Sequence, residues 1–411
     1  MSELTQTENK NTETRKKRHF SIRLVNGSDL WIHLAMIFLM IFGLVMIGSA
    51  SMGLAVGNNG YLVKTVGKQA AFLILGYIVM TWLSRTFTLD FLKSSSFSAL
   101  IVIMEILLLA CLAFHGTNGA HAWIRIPFPG MDVSLQPSEF AKIVTTLIVA
   151  GYTGDITRHF KRDRDLLLKP LLFIGIYVFT VAILQSDFGS AMVIFIIACV
   201  CLLIPSHPQM HRLQVFLRCA FWLAVVAAVF VLSPSGSKFV ESLPFLHAYQ
   251  KKRFESAINP FQDQYGSGYQ LVNGLVSFAT GGWFGKGFGN SIRKYTDFPE
   301  ANTDFILAIV VEELGFVGFL VLMAVYCVII FRLLAYAMKI HNERAKIILV
   351  GTAIYFLVHI FVNIGGVTGL IPLTGIPLLM VSSGGSSTLS IMMSVGISQA
   401  VIGQYRRGEI Q

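Results

Sequence analysis

Charge is scarce in this sequence: 13% of its 411 residues are Asp, Glu, Lys or Arg, 54% are hydrophobic, and the mean hydropathy is +0.67. That balance is far too apolar for a soluble protein of this length and points to a polytopic membrane protein. Cysteine is sparse as well. Cys111, Cys199, Cys201, Cys219 and Cys327 all fall inside apolar runs. The one close pair, Cys199 and Cys201, lacks a neighbouring His or second Cys pair to complete a metal site, which leaves these residues as small packing groups. No cleavable signal peptide is visible, because the first thirty residues are polar and basic (RKKRHFSIRL) and the first apolar run is long enough that it should stay as an anchor. No internal repeat stands out, which weakens transporter readings built on inverted repeats. No alternating barrel pattern is visible either, so the spans should be α-helical. The net charge of +10 invites a nucleic-acid reading. The basic residues, however, sit in short loops between apolar runs, where they set membrane orientation, and no nucleic-acid partner is expected.

What is present is a series of apolar runs at about 30–49, 66–84, 97–114, 137–154, 170–185, 188–205, 215–233, 306–331, 347–367 and 385–403. They predict an all-α integral membrane protein of about ten transmembrane helices. Lys and Arg concentrate in the N-terminal segment and in alternate loops, whereas the short loops of the other side hold Lys64, Lys68 and Arg125. By the positive-inside rule both termini face the cytoplasm, in a multi-pass membrane protein. Three regions are expected: a disordered basic tail at 1–29, a membrane domain at 30–403, and a short cytoplasmic tail at 404–411. A large extracellular loop, 234–304, should join helices 7 and 8, and the loop 115–136 should lie on the same outer side.

Polarity collects at that outer end. In QPSEFAK, Glu139 and Lys142 stand three apart on one face of the fourth helix, just after Pro137. They read either as an internal ion pair or as working groups, since ionisable residues within a span are functional candidates. Asp187 lies in the tight turn QSDFGSA, where an N-cap is the ordinary role. Its place on the outer face argues for more. Lys251, Lys252, Arg253, Lys286, Arg293 and Lys294 precede Asp297, Glu300, Asp304, Glu312 and Glu313. The stretch GGWFGKGFG is no phosphate loop: only three residues separate Gly281 from Gly285, and Gly287 follows Lys286. Its glycines suit close backbone packing in a re-entrant or surface-lying element. Asp304, in FPEANTDFIL, reads as a helix cap or as a catalytic group, with Glu300 one turn earlier capping the same helix start. Near the C-terminus, GLIPLTGIP and SSGGSS put irregular backbone at membrane depth, which is tolerated where it walls a wet cavity.

Taken together, QPSEFAK, QSDFGSA, NPFQDQYGSGYQ, FGKGFGNSIRK, FPEANTDFI with VEELGFVG, and GLIPLTGIP with SSGGSS resemble the SEDS family of bacterial cell-wall polymerases, typified by FtsW, RodA and SpoVE. The likeness runs from about residue 30 to 403. The spacing GxGxSxxK before PExxTDFI is closer to the FtsW and SpoVE branch, which implies septal synthesis in division, or sporulation. Three positions depart from the family pattern: Ala122 stands where Arg often precedes Trp123, Ser186 replaces a Pro, and Ser383 replaces a Tyr. Any role of the missing Arg passes to Arg125 or is absent.

The resemblance implies a peptidoglycan glycosyltransferase that polymerises lipid II, an undecaprenyl-pyrophosphate-linked disaccharide peptide, at the outer face of the bacterial plasma membrane. It also implies a class B penicillin-binding protein (a transpeptidase) as partner, alongside other division or elongation machinery and membrane lipids. The family's essential Asp corresponds to Asp304, and its QPSExxK and QPDLG acids and base to Glu139, Lys142 and Asp187. Such a reaction needs a general base and cations for a pyrophosphate leaving group. Asp304 is the expected base, and Arg125, Lys142, Arg253 and Lys294 are the candidate cations. A divalent metal ion is compatible with this chemistry, though no metal-ligand spacing calls for one. The competing readings are a lipid-linked precursor flippase or transporter, and a non-catalytic division scaffold.

Overall fold

The computed structural model describes residues 26–56, 59–116, 120–128, 131–156, 161–231, 253, 255–296 and 298–411. Most of the expected N-terminal tail, together with 232–252 and Asp297, lies outside them. Each of the ten apolar runs coincides with a helix: α1 (Leu30–Leu54), α2 (Asn59–Thr86), α3 (Ser95–Ala110), α4 (Pro137–Thr153), α5 (Asp163–Phe179), α6 (Phe188–Leu202), α7 (His211–Val231), α9 (Ile306–Lys339), α10 (Glu343–Val367) and α11 (Gly385–Arg406). An additional helix, α8 (Tyr269–Gly281), lies within the long loop. Eight helices among the described residues are long and apolar enough to cross a membrane. The other two, α4 and α6, have 17 and 15 residues. Ten crossings is accordingly part of the proposed topology.

The sequence explains the placement of these helices. In α10 and α11 every face carries apolar or small residues and both are deeply enclosed, whereas α7 is the least buried of the spans. Serines repeat on α11 at 387, 390, 394 and 398, and Ser394 and Ser398 both bond Thr352 of α10. Small residues with hydroxyls let two buried helices approach closely while satisfying their polar atoms. The loop before α4 lies outside the helices, as expected, but it is not irregular. It forms an antiparallel hairpin, β1 (Ile124–Phe128) and β2 (Met131–Leu135), in which Ile124 pairs with Leu135.

The longest helix is broken. Gly315 in α9 takes φ 71° and ψ −172°, which only glycine adopts freely. The GGWFGKGFG loop runs into this break: Phe316 N and Val317 N donate to the carbonyls of Gly282 and Trp283, and Lys286 N and Gly287 N donate to those of Glu312 and Glu313. A Cβ on Gly315 would meet Trp283 O at 2.3 Å, and one on Gly285 would meet Glu313 O at 2.2 Å. These glycines therefore allow two backbones to touch, as the sequence predicts.

Candidate active site

One end of the bundle holds an open cavity of about 820 Å³. It is built from elements distant in sequence: Lys68 of α2, the hairpin, the N-terminal ends of α4 and α6, the segment 265–270, the turn 299–304, the irregular stretch 373–377, and residues 383–387 at the start of α11. Four carboxylates line it, Glu139, Asp187, Glu300 and Asp304, with three cations, Lys68, Arg125 and Arg253.

Asp304 is not a helix cap. Residues 299–305 form a turn, and α9 starts at Ile306 behind Phe305, with no side chain capping it. Three successive carbonyls of this turn are held from outside: Asn302 O by Ser383 N at 2.8 Å, Thr303 O by Ser382 Oγ at 2.7 Å and Asp304 O by Asn363 Nδ2 at 2.9 Å. The Asp304 backbone is thus fixed while its side chain faces the cavity, against Gly375, where an added Cβ would lie 3.4 Å from Oδ2. Burial raises the Asp304 carboxyl to about 7, Glu300 adds to the rise, and Arg253 opposes it. A carboxylate in that range is a competent base near neutral pH. Glu300 does not lie a helical turn earlier, as expected. It occupies the left-handed region (φ 55°) and accepts a hydrogen bond from Thr303 Oγ1 at 2.5 Å. Strain of this kind in a non-glycine residue persists where the surroundings enforce it.

Asp187 is the N-cap of α6 and also lines the cavity. Its Oδ1 caps α6 by accepting from Ser190 N at 3.0 Å, and its Oδ2 accepts from Gln136 Nε2 at 3.0 Å inside the cavity wall. Glu139 and Lys142 form a buried ion pair of 2.6 Å on α4. Tyr355 donates to the second Glu139 oxygen at 2.7 Å, and the Lys142 ammonium also lies 3.0 Å from His359 Nε2. Every polar atom of this pair is occupied within the protein, and Lys142 does not reach the cavity lining.

Lys294 corrects the sequence reading more sharply. Its ammonium contacts Glu313 at 2.9 Å, Ser49 at 3.0 Å and the Gly289 carbonyl at 2.7 Å, with no side-chain exposure. Lys286, Lys294, Glu312 and Glu313 pin the loop to the α9 break, and none of the four lines the cavity. The cations that do line the cavity are Arg125, Arg253, whose Nη1 donates to Leu373 O at 2.6 Å, and Lys68. Sequence reading used Lys68 only for orientation. Its signal was a cation at the outer end of the second apolar run. His359 and Asn363 were missed too, although two polar groups four apart inside an apolar run mark a shared buried face. Among the described residues, no group of three or more His, Cys, Asp or Glu converges as a metal cluster.

Comparison with known proteins follows the same outline. Residues 29–406 match the family described as cell cycle protein, FtsW/RodA/SpoVE. A protein of Coxiella burnetii named "Probable peptidoglycan glycosyltransferase FtsW" is 32% identical over 90% of this chain and 94% of its own length. One of the same name from Lactococcus lactis is 30% identical over 90% of each. Among solved structures, a chain of a peptidoglycan synthase complex described as coordinating polymerization and crosslinking superposes with a TM-score of 0.69 at 24% identity, covering 92% of this chain and 98% of that one. Thermus thermophilus RodA gives 0.58 at 24% identity, covering 92% and 97%.

Proposed function

The chain belongs to the FtsW/RodA/SpoVE family, and from that premise we propose that it polymerises lipid II into glycan strands at the outer face of the plasma membrane, in division or sporulation, with a class B penicillin-binding protein as partner. The observation that carries the proposal is Asp304: a carboxylate with an immobilised backbone, raised to about 7, facing a polar cavity wide enough for sugars. In the reaction, Asp304 removes the proton of the acceptor sugar hydroxyl. The hydroxyl oxygen attacks the anomeric carbon of the donor, the bond to the lipid pyrophosphate breaks, and the configuration inverts. Arg125, Arg253 and Lys68 are the cations that line the cavity and would face the leaving group, while Lys142 and Lys294 lie outside its lining. Neutralising charge where it develops, in a site partly shielded from water, is the largest contribution such groups make. The names of the relatives and the solved synthase complex support both the activity and the partner.

The test is polymerisation of lipid II by the purified chain and its transpeptidase in detergent, where transport cannot be scored. Glycan strands are expected from the wild type. Failure to polymerise, combined with movement of lipid-linked precursor across reconstituted vesicles, would replace the polymerase with a transporter.

A further inference from the structure

Three residues of α10, each four apart, form one polar stripe in an otherwise apolar core. Each is almost wholly buried: Tyr355 is 1% exposed, His359 0% and Asn363 3%. Residues at this spacing lie one above another on a helix face. Each makes two polar contacts, and the contacts differ in a systematic way. Tyr355 OH donates to Glu139 Oε2 at 2.7 Å and pairs with Ser390 Oγ at 2.7 Å. His359 contacts Lys142 Nζ at 3.0 Å and the Pro377 carbonyl at 3.1 Å. Asn363 Nδ2 donates to the carbonyls of Asp304 and Ile376, both at 2.9 Å. A lysine ammonium only donates and a carbonyl only accepts, so the two His359 contacts select a neutral imidazole with its proton on Nδ1.

The stripe therefore joins three things that share no sequence neighbourhood: the Glu139–Lys142 pair on α4, the backbone of Asp304 ahead of α9, and the consecutive wall carbonyls Ile376 and Pro377. None of the three stripe residues lines the cavity itself. We propose that His359 and Asn363 are positioning residues of the polymerisation site: through Lys142, Asp304 and the 376–377 wall, one face of α10 sets the distance between the acid–base pair and the catalytic carboxylate. The inference rests on the polymerase reading above and names what holds that site in register. Its energetic logic is that of preorganisation, since a misplacement of about 1 Å from a change remote from the chemistry costs about 10²-fold in rate.

The experiment compares His359→Leu, His359→Gln, Asn363→Ala and Asn363→Ser in the lipid II assay with the partner present. His359→Gln keeps an oxygen that accepts from Lys142 and an amide that donates to Pro377, so it is expected to retain kcat within about threefold of wild type. His359→Leu and Asn363→Ala are expected to lower kcat about 10²-fold with KM for lipid II little changed, because neither side chain touches substrate. Asn363→Ser, with one donor, should fall between Asn363→Ala and wild type. Should the Leu and Ala variants fail to fold, the shape-conserving Gln variant decides. A folded, partner-bound His359→Gln that has lost more than about 30-fold overturns the positioning role and marks the imidazole itself as a reacting group. Full activity in folded His359→Leu and Asn363→Ala overturns it as well. An activity-independent measurement separates this inference from the polymerase reading: a thermal-unfolding cycle of His359→Leu, Lys142→Met and the double variant should be non-additive even if the wild type proves inactive. A wild type that does not polymerise lipid II sinks the polymerase reading, whereas an additive cycle sinks the stripe.

Discussion

Asp304 unites the sign of its titration with its geometry. Its folded carboxyl releases its proton near 7, above the ordinary carboxylate value of 3.8. Between those two values the unfolded chain has lost the proton and the folded chain retains it, so stability from this group falls as pH rises through that window. Asp304→Asn removes the cost: calorimetry at pH 8 should find a Tm at or above wild type, with the advantage vanishing toward pH 4. Activity moves oppositely, because Asn cannot take the hydroxyl proton, and loss of a general base costs about 10² to 10⁴ in rate. A polymerisation rate within about threefold of wild type would remove Asp304 from catalysis. In the wild type the rate should climb with pH through about 7 and then level, since the ionised form is the base. Glu300→Gln deletes the neighbouring charge that helps raise Asp304, so its rising limb should move to lower pH; a limb that stays in place separates the two carboxylates. The Glu139–Lys142 pair predicts a different pattern. Removing either partner strands a charge in the interior at about 3 to 5 kcal/mol, and the double replacement should be milder than either single change in the same melts.

At the level of elements, the break in α9 and the loop seated in it form one unit. Glu312 accepts from Lys286 Nζ at 2.8 Å and Ser291 Oγ at 2.6 Å, while Glu313 takes Lys294 and Ser49. Gly315→Ala combines a left-handed conformation with a backbone clash, and should destabilise by at least about 1 to 3 kcal/mol. Lys294→Met should likewise lower Tm and yield, yet leave KM for lipid II unchanged in whatever folds; a raised KM would return Lys294 to substrate binding. The close-packing role of GGWFGKGFG was legible because glycine spacing ruled out a phosphate loop and left backbone approach as the remaining use. The destination of the charges was not. A run of lysines beside glutamates looks alike whether it faces a ligand or closes on itself, and only the fold places Lys294 against Glu313 and Arg253 beside Asp304. The placing of Glu300 one helical turn before Asp304 failed for a related reason. Thr303 and Asp304 adjoin an apolar run, and nothing local reveals that their carbonyls are taken by Ser382 and Asn363 from two other elements.

Over the whole molecule, the ten apolar runs mark the positions of helices because a lipid-facing backbone must satisfy its own hydrogen bonds, so hydropathy alone carries the signal. The gathering of α4, α6, the turn before α9 and the 373–387 segment at one end came from motifs and orientation together, since Glu139, Asp187 and Asp304 all fall near helix starts on one side, whereas the part of α2, through Lys68, came only from the fold. That argument requires the side to be the outer one. Opposite it, Asp29 accepts from Arg332 and Arg406, and the segment before α1 packs against the end of α11, with Arg407 Nη1 donating to Asn26 O at 2.9 Å. Asn26 and the C-terminal residues therefore lie on one face, away from Asp304, and we propose from the positive-inside rule that this face is cytoplasmic. Reporter fusions at residues 5 and 409 should both read as cytoplasmic, and one near residue 237 as external. An external reading at both termini would put the cavity on the cytoplasmic side, where a polymer destined for the wall cannot be built, and the polymerase reading would fail with it.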